Sequence, residues 1–176
     1  MLLLALPVLL CACGRQEWQN LRQLCESYSR LASGTNHLAQ LVPGQFTAQR
    51  SDDGAAYQAY LGDSLLLACD ALRGGRVHTV SLTGLPEQRQ GEFFDAARCV
   101  VQAYTGAAAD QAERWLRQVR AGEAEVLGVL SFEGGGFRFS YAANQAGRWL
   151  RVSQLRFLPP EPELETLRET ITGTEA

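Results

Sequence analysis

Apolar residues recur along this chain with two different periods. Between Glu17 and Ser33 they fall at Trp18, Leu21, Cys25 and Tyr28, the three-to-four spacing of one helix face. Gly34 follows as a stop. The period then shortens toward two. Gln45–Arg50 reads as a strand ending at the turn Ser51-Asp52-Asp53-Gly54, and Ala55–Leu61 alternates with Tyr57, Ala59 and Leu61 on one side. Ser64–Asp70, with its Leu65-Leu66-Leu67-Ala68-Cys69 run, fits either a third strand or a short helix capped by Asp63 or Ser64. Arg76–Leu82 alternates again, with His78, Val80 and Leu82 in phase.

Helical spacing returns over residues 89–104, where Phe93, Ala97, Val100, Val101 and Tyr104 share a face. It continues over residues 108–121, where Ala112, Trp115, Leu116 and Val119 do so. Three further strands are expected at Glu125–Phe132, Phe137–Ala142 and Arg148–Phe157, separated by the turns Gly134-Gly135-Gly136 and Asn144-Gln145-Ala146-Gly147. Strands in consecutive runs joined by tight turns favour an antiparallel sheet. The fold expected is therefore α+β. It has an N-terminal helix and an antiparallel sheet built from two strand groups that flank a central helix pair, with the helices on one face.

The first residues follow neither period. Leu2 to Cys13 is an apolar run of about a dozen residues, short of the roughly 20 that a spanning helix needs, and it matches the apolar core of a secretory signal. It closes on Leu10-Cys11-Ala12-Cys13, which resembles the lipobox of bacterial lipoproteins. The resemblance implies cleavage before Cys13 and acylation of that cysteine with palmitate-type chains. It further implies a membrane-anchored lipoprotein of the cell envelope, facing the periplasm. At about 0.8 kcal/mol per buried CH₂, several acyl chains hold a protein on a bilayer without a spanning helix. The organisation read from this is a signal peptide at 1–12, one α+β domain at 13–157, and a Pro- and Glu-rich C-terminal tail at 158–176. Within the tail Leu164, Leu167 and Ile171 are spaced for a short acidic amphipathic helix.

Composition narrows the function classes. With 176 residues, 46% hydrophobic and 20% charged, the chain has the make-up of one folded domain. A formal net charge of −3 gives no pull toward nucleic acid. Five cysteines are present. With Cys11 removed and Cys13 lipidated, Cys25, Cys69 and Cys99 remain in an oxidising compartment, so one disulfide and one free thiol are expected. Cys99 lies on a small-residue stripe with Ala96 and Ala103 that another element can approach closely, which favours Cys25–Cys99, with Cys69–Cys99 as the alternative.

No metal or cofactor motif stands out. His37 falls in a loop and His78 in a strand, Asp52-Asp53 is explained by its turn, and Gly134–Gly136 suits a hairpin tip better than a phosphate cradle. Phe137, Phe139 and Tyr141 share a strand face with Trp149 on the next strand. Such a face is either core or, if open, a binding surface. The expectation is a non-enzymatic binding or scaffold protein, its partners the membrane and another envelope protein or a small apolar ligand. The alternatives are a periplasmic inhibitor or immunity-type protein using the acidic Ser51–Gly54 loop, and a hydrolase with an unrecognised pair of carboxylates in a deep pocket.

Overall fold

The computed structural model describes residues 20–35, 37–85, 90–123, 129–145 and 147–158. The expected signal peptide, Cys13 and the tail beyond residue 158 lie outside the described residues. Helix α1 spans Leu21–Ala32. It starts at Asn20, whose Oδ1 accepts from the Gln23 amide at 2.9 Å while Gln23 Oε1 accepts from the Asn20 amide at 3.1 Å. This reciprocal cap satisfies two donors that the first turn otherwise leaves open. Leu24, Cys25, Tyr28 and Ala32 form its buried face. The loop after it is tied back by Ser29, whose Oγ donates to the Leu41 carbonyl at 2.8 Å and accepts from the Leu41 amide at 2.9 Å.

Four strands follow: β1 (Thr47–Arg50), β2 (Gly54–Leu61), β3 (Leu65–Leu72) and β4 (Val77–Gly84). The ambiguous 64–70 run is thus a strand. Its side chains alternate strictly between buried and half-buried, from Leu65 to Leu72. It is hydrogen-bonded on both sides, so pairing decides what periodicity left open. Helices α2 (Gln90–Thr105) and α3 (Ala109–Glu123) come next, then β5 (Leu130–Gly134), β6 (Phe137–Asn144) and β7 (Gly147–Gln154). A 3₁₀ turn, Leu155–Phe157, closes the described chain. The β5–β6 hairpin turns at Gly135 and Gly136, with φ of 61° and 85°. Two successive positive φ values make the primed turn that matches strand twist.

The seven strands form one antiparallel sheet in the order β1-β2-β3-β4-β7-β6-β5. The two strand groups meet where β4 pairs with β7, from Thr79 opposite Ser153 to Gly84 opposite Arg148. The helix pair is the connection that lets this distant pairing form. One sheet face is the core side: Tyr57, Cys69, Val80, Val152, Phe139 and Phe132 stand in one row across six strands. The helices cover that side. Phe93 and Phe94 of α2 meet Tyr141, Tyr104 meets Phe137, and Trp115 of α3 meets Phe139. Helix α1 packs on α2, whose small residues Ala96, Cys99 and Ala103 are all buried.

Candidate functional site

The aromatic trio named from the sequence is core and not a binding face. Phe137, Phe139 and Tyr141 are buried beneath α2 and α3, because β6 lies inside the sheet and its apolar parity points at the helices. Trp149 has the opposite parity, since its neighbour Leu150 faces the core. The four residues therefore do not form one surface.

The cysteines also differ from expectation. Cys25, Cys69 and Cys99 are three separate buried thiols, with no disulfide among them. Neither Cys25–Cys99 nor Cys69–Cys99 is joined. Cys25 faces the core from α1 and Cys69 from β3, while Cys99 lies on the α2 side of a cleft. Burial pushes the Cys25 thiol up to about 11 and raises Cys69 and Cys99 in the same direction. Thiols so desolvated pack as small apolar groups and are poor nucleophiles.

Among the described residues, side chains of functional type gather on several surfaces. The first is the sheet face turned away from the helices. Tyr60, Leu66, Thr83, Trp149 and Ala142 stand opposite one another across five adjacent strands. Tyr60 is 66% exposed at one end of this row. Two rows along, Thr79 and Ser153 are buried and share a hydrogen bond of 3.1 Å. Thr79 Oγ1 also lies 3.1 Å from Nδ1 of His78. Arg151 pairs across β4 with Asp70 at 3.5 Å. Burial lowers the His78 pKa. Asp70 pulls it back up and Arg151 pushes it further down. The Phe157 ring closes over His78 at 5.9 Å. Serine, threonine and histidine are here linked as a structural seam between β4 and β7.

The second surface is a cleft of about 450 Å³ between α2 and α3. Asp95, Arg98 and Gln102 enter it from α2, Glu113 and Arg120 from α3. Leu31, Phe94, Cys99 and Ala109 supply the apolar wall. The Arg120 guanidinium lies 4.4 Å above the Phe94 ring, a cation–π placement. Asp95 also receives His37 from the loop after α1, Nε2 to Oδ2 at 3.3 Å. Sequence reading missed this cleft, yet a signal existed. Positions 95, 98 and 102 repeat at helical spacing on the polar side of α2, and 113 and 120 are two turns apart on α3.

A narrower cleft of about 260 Å³ brings Asp63 and Glu92 together with His37. Each of the two clefts thus contains two carboxylates, the residue type on which the hydrolase alternative would rest. Among the described residues, the buried polar side chains are Thr79, Ser153 and Gln154, all uncharged. The Ser51–Gly54 turn protrudes at the sheet end beside Arg50 and Arg73. Among the described residues, no helix is long and apolar enough to cross a membrane, and no cluster of side chains is arranged to hold a metal ion. Comparison of the chain with protein-family models, with curated proteins and with solved structures returns no match.

Proposed function

We propose that this protein is a lipid-anchored component of the bacterial envelope with a non-enzymatic binding role, its partner another envelope protein or a small ligand. The observation that carries the reading is the tetrapeptide Leu10-Cys11-Ala12-Cys13, closing an apolar run too short to span a bilayer and standing just ahead of the first helix. The described domain supports the binding role through its surfaces. Among the described residues, no helix covers one sheet face, and the polar groups of the helix cleft are half-exposed and open to a ligand.

Intact mass of the protein extracted from native bacterial membranes tests the anchor. The expected result is loss of residues 1–12 with an acyl-sized gain on Cys13, and release of a Cys13→Ala variant from the membrane fraction. An unprocessed chain in the soluble fraction overturns the reading. A photo-crosslinking residue at Tyr60, the exposed end of the sheet row, tests the binding role. A discrete crosslinked envelope protein supports it. Absence of any adduct from Tyr60 and from a second probe at Gln102 counts against it.

A further inference from the structure

Among the described residues, guanidinium–carboxylate pairs differ in how closely they meet. Three close within 3 Å, Arg22 to Glu26 at 2.9 Å, Arg114 to Asp110 at 2.7 Å and Arg138 to Glu133 at 2.7 Å, and Arg151 stands 3.5 Å from Asp70. The two in the α2–α3 cleft are wider still. Arg98 stands 3.8 Å from Asp95 and Arg120 stands 3.9 Å from Glu113, beyond hydrogen-bonding range. Among the described residues, neither cleft guanidinium donates a hydrogen bond and Glu113 accepts none. These four side chains are between 37% and 44% exposed. They are withdrawn enough to strengthen a charge interaction and open enough to be reached.

The charges alternate in sign, with a cation and an anion from each helix, and the Gln102 amide adds a neutral donor and acceptor. A ligand with a single charge would pair with one sign and leave the other facing it unfavourably. A ligand carrying both signs meets the cations and the anions together, with Asp95 sharing its carboxylate with His37 at 3.3 Å, and mismatched analogues are disfavoured by the pair left unmatched. The accessible part of the apolar wall, at Leu31 and Ala109, leaves room for a short aliphatic stem. The volume lies within the range of small-molecule sites.

We propose that the cleft between α2 and α3 binds a small zwitterion, an amino acid or short peptide that presents an ammonium and a carboxylate together. The carboxylate sits between the guanidinium groups of Arg98 and Arg120, and the ammonium donates to Asp95 and Glu113. This deepens the binding reading above by naming the ligand class. It does not depend on the anchor, because binding is measured on the purified full-length chain in detergent whether or not that chain is acylated.

The probe is the dipeptide alanyl-alanine, followed by the arginine Nε–H signals in ¹H–¹⁵N NMR spectra. Saturable movement of the Arg98 and Arg120 signals is expected. N-acetyl-alanyl-alanine, which lacks the ammonium, and alanyl-alaninamide, which lacks the carboxylate, should each bind about tenfold more weakly, the scale of one charge-assisted hydrogen bond. Arg98→Gln and Asp95→Asn should each cost about the same factor, and Arg98→Lys should restore part of it. Arg114→Gln, outside the cleft, should change nothing. If Asp95→Asn disturbs the fold, Arg98→Gln decides alone, since the structure records no hydrogen bond from that side chain. No saturable shift up to the solubility limit of alanyl-alanine overturns the proposal. So does equal affinity for either single-charge analogue, or unchanged affinity of Arg98→Gln.

Discussion

Phe139→Ala removes the ring on which the second half of the sheet is packed. Phe139 is fully buried. Its ring lies parallel to Phe132 at 4.9 Å with 6° between the planes, and tilted by 41° against Trp115 at 4.9 Å. Truncating a core phenylalanine costs about 3–5 kcal/mol in lost transfer and residual cavity. The two ring pairs account for about 1–3 kcal/mol of that. Phe132 is only half-buried on the outermost strand, so the site can partly collapse from that side, which places the expected loss at about 3–4 kcal/mol. A domain this size has about 5–15 kcal/mol in total. With a urea slope of about 2 kcal/mol/M, the midpoint should fall by about 1.5–2 M. Urea titration followed by tryptophan fluorescence, to which Trp18, Trp115 and Trp149 all contribute, reads the shift in midpoint. If the alanine variant does not fold, Phe139→Leu keeps most of the volume and should lose about 1–3 kcal/mol through the ring contacts. A loss below about 1 kcal/mol for Phe139→Ala would mean that its ring is not where the core is, and the helix-covered face would have to be reassigned.

Other outcomes follow from single features. A Cβ added at Gly54 would stand 2.0 Å from the backbone oxygen of Ala71, so Gly54→Ala should lower thermal stability by about 5 °C or more, whereas Gly44→Ala, with open space around it, should be neutral in the same melt. The buried thiols titrate above their ordinary value of 9.0, Cys25 near 11. The folded state therefore holds protons that the unfolded chain has already released. The thiol contribution to stability should be flat below pH 9 and decline as pH rises toward 11, measured by denaturation at fixed ionic strength. The thiols should likewise resist a thiol reagent at pH 8 until denaturant is added. His78 behaves in the opposite sense. Its folded pKa lies below 6.5, so the unfolded chain takes up the proton first, and stability should fall as pH drops below that value. Replacing His78 with Gln should flatten that acid limb.

Much of the architecture was legible because periodicity and turn chemistry are local. The helical stripe of Phe93, Ala97 and Val100 and the hairpin tip at Gly134–Gly136 both appear where spacing and glycine content put them. What could not be read was set by distant partners. The 64–70 run had to be a strand because β2 and β4 flank it, and neither is visible within that run. Phe137, Phe139 and Tyr141 were correctly placed on one strand face. Whether that face was covered depended on where α2 and α3 packed, about which the strand carries no information. The cysteines were assigned to a bridge from their compartment and count, but packing set each thiol as a separate apolar filler. The cleft shows the same limit. Arg98 and Arg120 are 22 positions apart, and only the helix pairing places them in one hollow.

The short bridge between Asn20 and Arg76 has a bearing on how the molecule would stand in space. It pins the start of the domain to the end of the sheet that carries the turns at 51–53, 73–76 and 135–136. With Cys13 acylated, the tether from lipid to Asn20 is seven residues long, at most about 25 Å when fully extended. The eight-residue strands add about 26 Å beyond it. The far turns, near Gly62 and Asn144, would then stay within about 50 Å of the bilayer surface. The helix-free sheet face and the helix cleft lie on opposite flanks of the described domain, and both would stay within that distance of the bilayer. Encounters would become a two-dimensional search in the membrane plane, with a different neighbour available to each flank.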